Sequence, residues 1–323
     1  MLNHPPMQLG LIGLGRMGGN MARRLAQHEI QVAGFSLDRT AAAAFADEPR
    51  IKVLSQLDEL IRSLPAPRIV WLMVPAGEAT ETNIAALAGK LAAGDLVIDG
   101  GNAFYRDSQR RATQLEQHGI GFLDAGVSGG VWGLAEGYGL MVGGARAHFE
   151  RALPLWRALA PAPDKGWVYC GPSGAGHYAK MVHNGIEYGL MQAYAEGFAL
   201  LAARKDLQLP LGPIAEAWRH GTVIRSWLLD LTADVLHDPA ALDRVGARIA
   251  DSGEGRWTAH EAIELGVPAP VISAALMARF ASQGADDFGA RLLALVRNAF
   301  GGHPLPPAET PAHGALKAPQ PGP

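Results

Sequence analysis

The chain has 323 residues, 48% of them apolar, with 40 glycines, one cysteine and a formal charge of −3. That length and apolar share suit one large or two ordinary folded domains and exclude a disordered chain. The near-neutral charge gives no general case for nucleic acid or anionic membrane as a partner, no run of about 18 apolar residues offers a span, and the lone Cys170 excludes an internal disulfide framework. The N-terminus enters an apolar strand without a basic leader, so a cytoplasmic protein is expected.

Met7–Ile12 has the pattern of a short buried strand. It runs into Gly13-Leu14-Gly15-Arg16-Met17-Gly18, then a helical stretch Asn20–Gln27 and a second strand Gln31–Phe35. In this βαβ context the G-x-G-x-x-G turn is a dinucleotide-binding signal, with Gly13 for the tight turn, Gly15 for approach of the pyrophosphate and Gly18 for helix–strand packing. The helix N-terminus adds donors and positive dipole. The expected fold class is therefore α/β, a Rossmann-type doubly wound sheet, and the expected cofactor is NADP or NAD. A carboxylate at the end of the second strand would hold a ribose 2′-hydroxyl. Ser36 stands there instead, and Arg39 can pair with a 2′-phosphate, which favours NADP; Asp38 keeps NAD open.

Ile69–Val74 and Leu96–Ile98 are continuous apolar runs, as strands covered on both faces require. They end in Val74-Pro75-Ala76-Gly77 and Asp99-Gly100-Gly101-Asn102, at the strand ends where open α/β sheets bind ligands. Asn102 suits a polyol or a carboxamide, or forms a turn. Ile120–Asp124 reads as a strand ending in a loop, Ala125-Gly126-Val127-Ser128-Gly129-Gly130, whose bare N–H groups suit a carboxylate or form a simple Ser/Gly loop. Gly137–Gly144 and Trp167–Cys170 complete the sheet.

Composition changes to helix only at Pro172–Gly176, which divides the chain into a dinucleotide-binding domain, residues 1–175, and an all-helical C-terminal domain, residues 176–303, to which the resemblance named below assigns substrate binding and oligomerisation. The first helix there runs to Ala203, roughly 40 Å at about 1.5 Å per residue. It stacks Lys180, His183, Asn184 and Glu187 on one face. That column is either a solvated stripe or an acid–base row. The apolar Met181, Val182, Ile186 and Leu190, with Gly185 and Gly189 for close approach, predict a helix buried nearly all round, where a Lys and a Glu need a chemical reason. Further helices are expected at Pro210–Gly221, Val223–Leu236, Ala259–Leu265, Val271–Ser282 and Asp287–Phe300, followed by a Pro-rich disordered tail over residues 304–323. Arg279 and Arg297 lie beside apolar runs, where an Arg commonly snorkels, and His303 sits in a Gly loop. No Cys/His group has metal-ligand spacing, and no metal is expected.

Taken together, the glycine turn, Asp99-Gly100-Gly101-Asn102, Gly126-Val127-Ser128-Gly129-Gly130, the run from Lys180 to Tyr188 and Trp218-Arg219-His220-Gly221-Thr222 resemble the short form of decarboxylating 6-phosphogluconate dehydrogenase over residues 7–303. The resemblance implies a general base at Lys180 and a general acid at Glu187. It implies substrate contacts at Asn102, Ser128, Gly129, Gly130, His183, Asn184, Tyr188 and Arg279. Arg297 and His303 would reach a neighbouring subunit's site in a homodimer or homotetramer. Cofactor contacts would come from Gly13, Leu14, Gly15, Arg16, Met17, Gly18, Ser36, Arg39, Val74 and Asn102. One departure is Ser252, which precedes Gly253-Glu254-Gly255-Arg256-Trp257-Thr258 where longer members carry a Lys, and which puts one phosphate contact in doubt. The implied reaction is oxidative decarboxylation of 6-phospho-D-gluconate to D-ribulose 5-phosphate. The alternatives are a non-decarboxylating β-hydroxyacid dehydrogenase of the 3-hydroxyisobutyrate type and a nucleotide-sensing protein without turnover.

Overall fold

The computed structural model describes residues 7–238 and 240–284, with isolated positions between 288 and 296. The expected tail, Arg297 and His303 lie outside the described residues, as does much of the expected helix Asp287–Phe300. The chain divides into two compact units, Met1–Leu200 with Ser252–Ser273, and Leu201–Asp251 with Ala274–Pro323. Contacts thus group most of the long helix with the sheet, whereas composition divides the chain at residue 175.

The first unit is built on eight strands: β1 Gln8–Ile12, β2 Gln31–Phe35, β3 Ile51–Leu54, β4 Ile69–Leu72, β5 Leu96–Asp99, β6 Gly121–Ser128, β7 Gly139–Gly144 and β8 Trp167–Gly171. Their order is β3-β2-β1-β4-β5-β6-β7-β8. All neighbours are parallel except β6 and β7, which pair antiparallel from Leu123↔Gly144 to Ser128↔Gly139. β4 and β5 are buried at every position, as their unbroken apolar runs require. Helices α1 Arg16–Gln27, α2 Leu57–Ser63, α3 Glu78–Ala88, α4 Tyr105–Glu116, α5 Gly133–Glu136, α6 Arg146–Arg151 and α7 Leu153–Leu159 connect the strands. One core holds Leu9, Leu11, Trp71 and Trp156, and a second holds Ile12, Leu72, Ile84 and Leu115.

One expectation is corrected, and one strand was not anticipated. Ala125–Ser128 is strand rather than loop, because antiparallel pairing with β7 carries β6 on to Ser128. Only Gly129 and Gly130, at φ +126° and +53°, leave the ladder, in conformations that favour glycine. The edge strand β3 also lacks a signal of its own: Ile51-Lys52-Val53-Leu54 is short, and Lys52 is exposed.

Buried charges fasten this unit. Arg24 on α1, 8% exposed, donates to the carbonyls of Leu159 at 2.9 Å and Ala160 at 2.6 Å, at the C-terminal end of α7 where cations are favoured. Arg111 and Asp99 form an ion pair at 3.0 Å with both side chains fully buried.

α8, Ala175–Ala203, runs for 29 residues. Its first turn is held by Asp124 of β6, whose two oxygens accept from the backbone N–H groups of Gly174 at 2.7 Å and His177 at 2.8 Å. A carboxylate at a helix N-terminus meets unpaired donors and the favourable end of the dipole. α12, Glu254–Leu265, crosses α8 where Thr258 packs on Gly185, and the Thr258 hydroxyl donates to the Met181 carbonyl at 3.0 Å.

The second unit contains α9 Leu211–Trp218, α10 Trp227–Leu236, α11 Ala240–Asp243 and most of α13, Pro270–Ser282. α9 and α10 pack through Ala215, Leu229, Ala233 and Leu236, with Gly212 close to the Leu236 carbonyl. α10 starts four residues later than its apolar pattern, because Ser226 accepts from Leu229 N at 3.1 Å and caps it.

Candidate functional site

The glycine turn has the geometry of an anion cradle. Gly13 lies at φ +95°, and α1 begins with no side-chain cap, leaving its first N–H groups for an outside acceptor. A Cβ on Gly18 would collide with the Gly13 carbonyl, whereas one on Gly15 would meet nothing within 4 Å. Gly18 therefore closes the turn and Gly15 opens it outward. Arg16 is exposed beside Gly15. Leu14 is buried against Gly34, so it offers only its backbone to a ligand.

Next to the turn is a crevice of about 260 Å³, lined by Met17, Met73, Val74, Gly101, Asn102 and Val127 among others. It gathers the first turn of α1 with the ends of β4, β5 and β6. Gly101 is held there by the Asp99 carboxylate, which accepts its N–H at 3.1 Å. These features fit a dinucleotide with its pyrophosphate at the turn and its reactive ring in the crevice.

At the far end of β2, Ser36 accepts from Asp38 N at 3.2 Å. Asp38 accepts from both the N–H and the hydroxyl of Thr40, at 2.8 and 2.7 Å, and caps the 3₁₀ turn Arg39–Phe45. Those two bonds hold the Asp38 carboxyl below its ordinary range. The side chain of Arg39 lies outside the described residues.

From the crevice, a hydrogen-bonded chain leads to the long helix. The Asn102 amide donates to Glu254 Oε1. The same oxygen accepts from the Asn184 amide at 2.9 Å. Asn184 Oδ1 accepts from Lys180 Nζ and lies 3.1 Å from His183 Nδ1. His183 Nδ1 is 3.9 Å from a Glu187 oxygen. Four polar residues on one helical face are thus one connected column, joined to the crevice through Glu254 and Asn102.

Lys180 is 9% exposed. Its stem lies on β6, where a Cβ on Gly126 would collide with the Lys180 Cβ. Ser128, Gly129 and Gly130 follow Gly126 two to four residues further along the chain. Burial pushes the Lys180 amine below its usual range, and the charges of Glu187 and Glu254 oppose the shift. Tyr188 is buried under Gly255, and its hydroxyl is 3.3 Å from Ser252 Oγ, so Ser252 has a partner inside the protein.

Two expectations about α8 need revision. Ile186 is 53% and Leu190 44% exposed, so one flank faces outward in the single chain. Glu187 is half-exposed rather than buried. Arg279 belongs to the second unit, where it donates to the Ala250 carbonyl at 2.9 Å. Glu254 is the residue the sequence did not single out. An acidic residue between two glycines, directly before Arg256-Trp257-Thr258, was the available signal.

Comparison with known proteins agrees with this geometry. The family model for the NAD binding domain of 6-phosphogluconate dehydrogenase matches residues 8–171, and that for the 6-phosphogluconate dehydrogenase C-terminal domain matches residues 176–298. The chain is 43% identical over 302 residues to an NAD(+)-dependent, decarboxylating 6-phosphogluconate dehydrogenase of Haloferax volcanii, covering 92% of this chain and 98% of the relative. Among solved structures it is similar to Plasmodium falciparum 6-phosphogluconate dehydrogenase, described in its apo form and in complex with NADP+ and with 6-phosphogluconate. The TM-score is 0.80 at 29% identity, over 91% of this chain and 65% of that one. A Mycobacterium tuberculosis 3-hydroxyisobutyrate dehydrogenase aligns less well, with a TM-score of 0.68 at 25% identity over 88% of this chain and 94% of that one. With both family models matched across the sheet and the helices that follow it, the chain belongs to the 6-phosphogluconate dehydrogenase family.

Proposed function

We propose that the protein oxidises 6-phospho-D-gluconate at C3 and decarboxylates the product to D-ribulose 5-phosphate, with hydride transfer to NADP or NAD. The observation that carries this is the unbroken chain of contacts from the dinucleotide crevice through Asn102, Glu254 and Asn184 to a buried lysine. Residues 1–175 serve as the dinucleotide domain and 176–303 as the substrate and oligomerisation domain of a cytoplasmic homo-oligomer. Arg297 and His303 complete a neighbour's site, and Arg279 contributes to phosphate binding. The described helices include none long and apolar enough to cross a membrane.

The nicotinamide, when bound, accepts the hydride from C3. Lys180 takes the proton of the C3 hydroxyl, and burial favours the neutral amine this requires. The C1–C2 bond then breaks, carbon dioxide leaves, and its electron pair moves toward the C3 carbonyl. The Lys180 ammonium donates a hydrogen bond to that oxygen as its charge grows. Lys180 gives that oxygen its proton to form the enediol, and Glu187 then protonates the former C2, which becomes C1 of ribulose 5-phosphate, as Lys180 takes the hydroxyl proton back. Asn102, His183, Asn184 and Tyr188 hold the polyol, and Ser128 with the N–H groups of Gly129 and Gly130 holds the C1 carboxylate until it leaves.

Gly15→Ala is expected to leave the urea midpoint unchanged, because its Cβ enters open space. It lowers dinucleotide affinity by roughly tenfold or more, about 1.4 kcal/mol, by obstructing the pyrophosphate. Gly18→Ala lowers the urea midpoint as well, because its Cβ strikes backbone. Paired denaturation and nicotinamide-fluorescence titrations separate the two.

NADP is the favoured cofactor, because Asp38 is engaged as a cap and no carboxylate stands at Ser36. Ser36→Asp is expected to lower kcat/KM with NADP by roughly tenfold or more relative to NAD, through repulsion of the 2′-phosphate. Initial rates with both cofactors check this.

The functional test is absorbance at 340 nm with 6-phosphogluconate and with 3-hydroxyisobutyrate, each with NAD and NADP. Turnover of the phosphorylated acid alone is expected. Turnover of 3-hydroxyisobutyrate alone points to the non-decarboxylating class, and binding without turnover points to a sensor.

A further inference from the structure

Glu254 is the chemistry-bearing residue that the proposed reaction leaves without a role. It opens α12 at 4% exposure, and its Oε1 accepts from the amides of both Asn102 and Asn184. Its Oε2 is buried with no hydrogen-bond partner among the described residues. An unmet buried carboxylate oxygen costs stability, so packing does not account for a Glu at this place. A glutamine of the same shape would fill it without a charge.

The chemistry of the acceptor does account for it. A carboxylate only accepts, so both asparagines must turn their NH₂ groups toward Glu254 and their carbonyl oxygens away. For Asn184 the consequence is visible, since its Oδ1 receives the Lys180 amine. With that amide reversed, an NH₂ group would face the amine, and the lysine would lose its acceptor. The turned-away carbonyl of Asn102 is correspondingly an acceptor for a ligand hydroxyl or amide.

We propose that Glu254 is a positioning residue for the base: its carboxylate fixes the Asn102 and Asn184 amides and, through Asn184, holds the Lys180 amine in its reactive orientation. This rests on the reading of Lys180 as the base. The same charge opposes the loss of the Lys180 proton. The charged groups acting on Lys180 are Glu187 from α8 and Glu254 from α12, and His183 of α8 lies against the same Asn184 oxygen that takes the Lys180 amine. Of the carboxylates that oppose burial at Lys180, Glu254 is the one contributed by another helix.

The test compares wild type, Glu254→Gln and Glu254→Asp as full chains, with 6-phosphogluconate and saturating cofactor. Glu254→Gln is expected to lower kcat by about 10- to 100-fold through misplacement of the base. Its Tm stays at or above wild type, and the acid limb of kcat/KM moves to lower pH because a negative charge has been removed. Glu254→Asp retains the charge and keeps the acid limb where wild type has it. Two outcomes overturn the role of Glu254 alone: a Glu254→Gln enzyme with wild-type kcat and acid limb, or one whose loss of activity follows a lowered Tm. Absence of turnover in wild type would instead overturn the reading of Lys180 on which this rests.

Discussion

Replacing Lys180 with alanine is expected to lower kcat for 6-phosphogluconate by about 10³-fold, within the range for removal of a general base, while the dissociation constant of the dinucleotide is unchanged. The separation follows from position. Lys180 sits on α8 behind Asn184 and Glu254, whereas the crevice is lined by Met17, Val74 and Asn102. The pH dependence carries a definite sign. Only the neutral amine accepts a proton, and burial lowers the pH at which Lys180 becomes neutral. In wild type kcat/KM therefore rises with pH through that titration, and the residual rate of the alanine variant lacks the rise. Lys180→Arg should behave like the alanine, since a guanidinium stays protonated. Stopped-flow hydride transfer and fluorescence titration of the cofactor check both halves. An equal loss of rate and cofactor affinity would contradict the assignment.

The second large effect concerns the joint that places this lysine. Gly176→Ala is expected to destabilise the protein by about 3 kcal/mol or more, at the upper end for overpacking. Its Cβ would lie 2.5 Å from the carbonyl oxygens of Asp124 and Met141 and 2.7 Å from Gly143 N. All three are backbone atoms of β6 and β7, so no rotamer change relieves the clash. The first turn of α8 would have to lift off the strands, weakening the Asp124 bonds to Gly174 and His177. Urea denaturation should show a lowered midpoint with a preserved slope. A wild-type midpoint would mean that α8 is not seated on the sheet at this glycine.

Features encoded locally were legible in the sequence. Gly13-Leu14-Gly15-Arg16-Met17-Gly18 sits between an apolar run and an amphipathic stretch, so turn, helix and strand reinforce one another. The column of Lys180, His183, Asn184 and Glu187 follows from helical spacing alone, and its members are hydrogen-bonded or close in the fold. Features that depend on a distant partner were not legible. β6 runs through Gly126 to Ser128 because β7 pairs with it, and no local signal distinguishes that glycine from a turn. Glu254 meets Asn102 across 152 positions of sequence, so nothing near either residue announces the contact. The ion pair of Arg111 with Asp99 likewise exists only where α4 and β5 bury the two together. The apolar flank at Ile186 and Leu190 predicted burial, yet in the single chain it faces outward.

The central claim is that one site performs both oxidation and carbon–carbon cleavage, and the most direct measurement follows both in one reaction. 6-Phosphogluconate labelled with ¹³C at C1 is incubated with enzyme and NADP or NAD, with reduced nicotinamide read at 340 nm and carbon by NMR. One labelled carbon dioxide or bicarbonate is predicted for every reduced nicotinamide, with unlabelled ribulose 5-phosphate as the other product. Label retained in an oxidised six-carbon acid, or no reduction of either cofactor, would contradict the account.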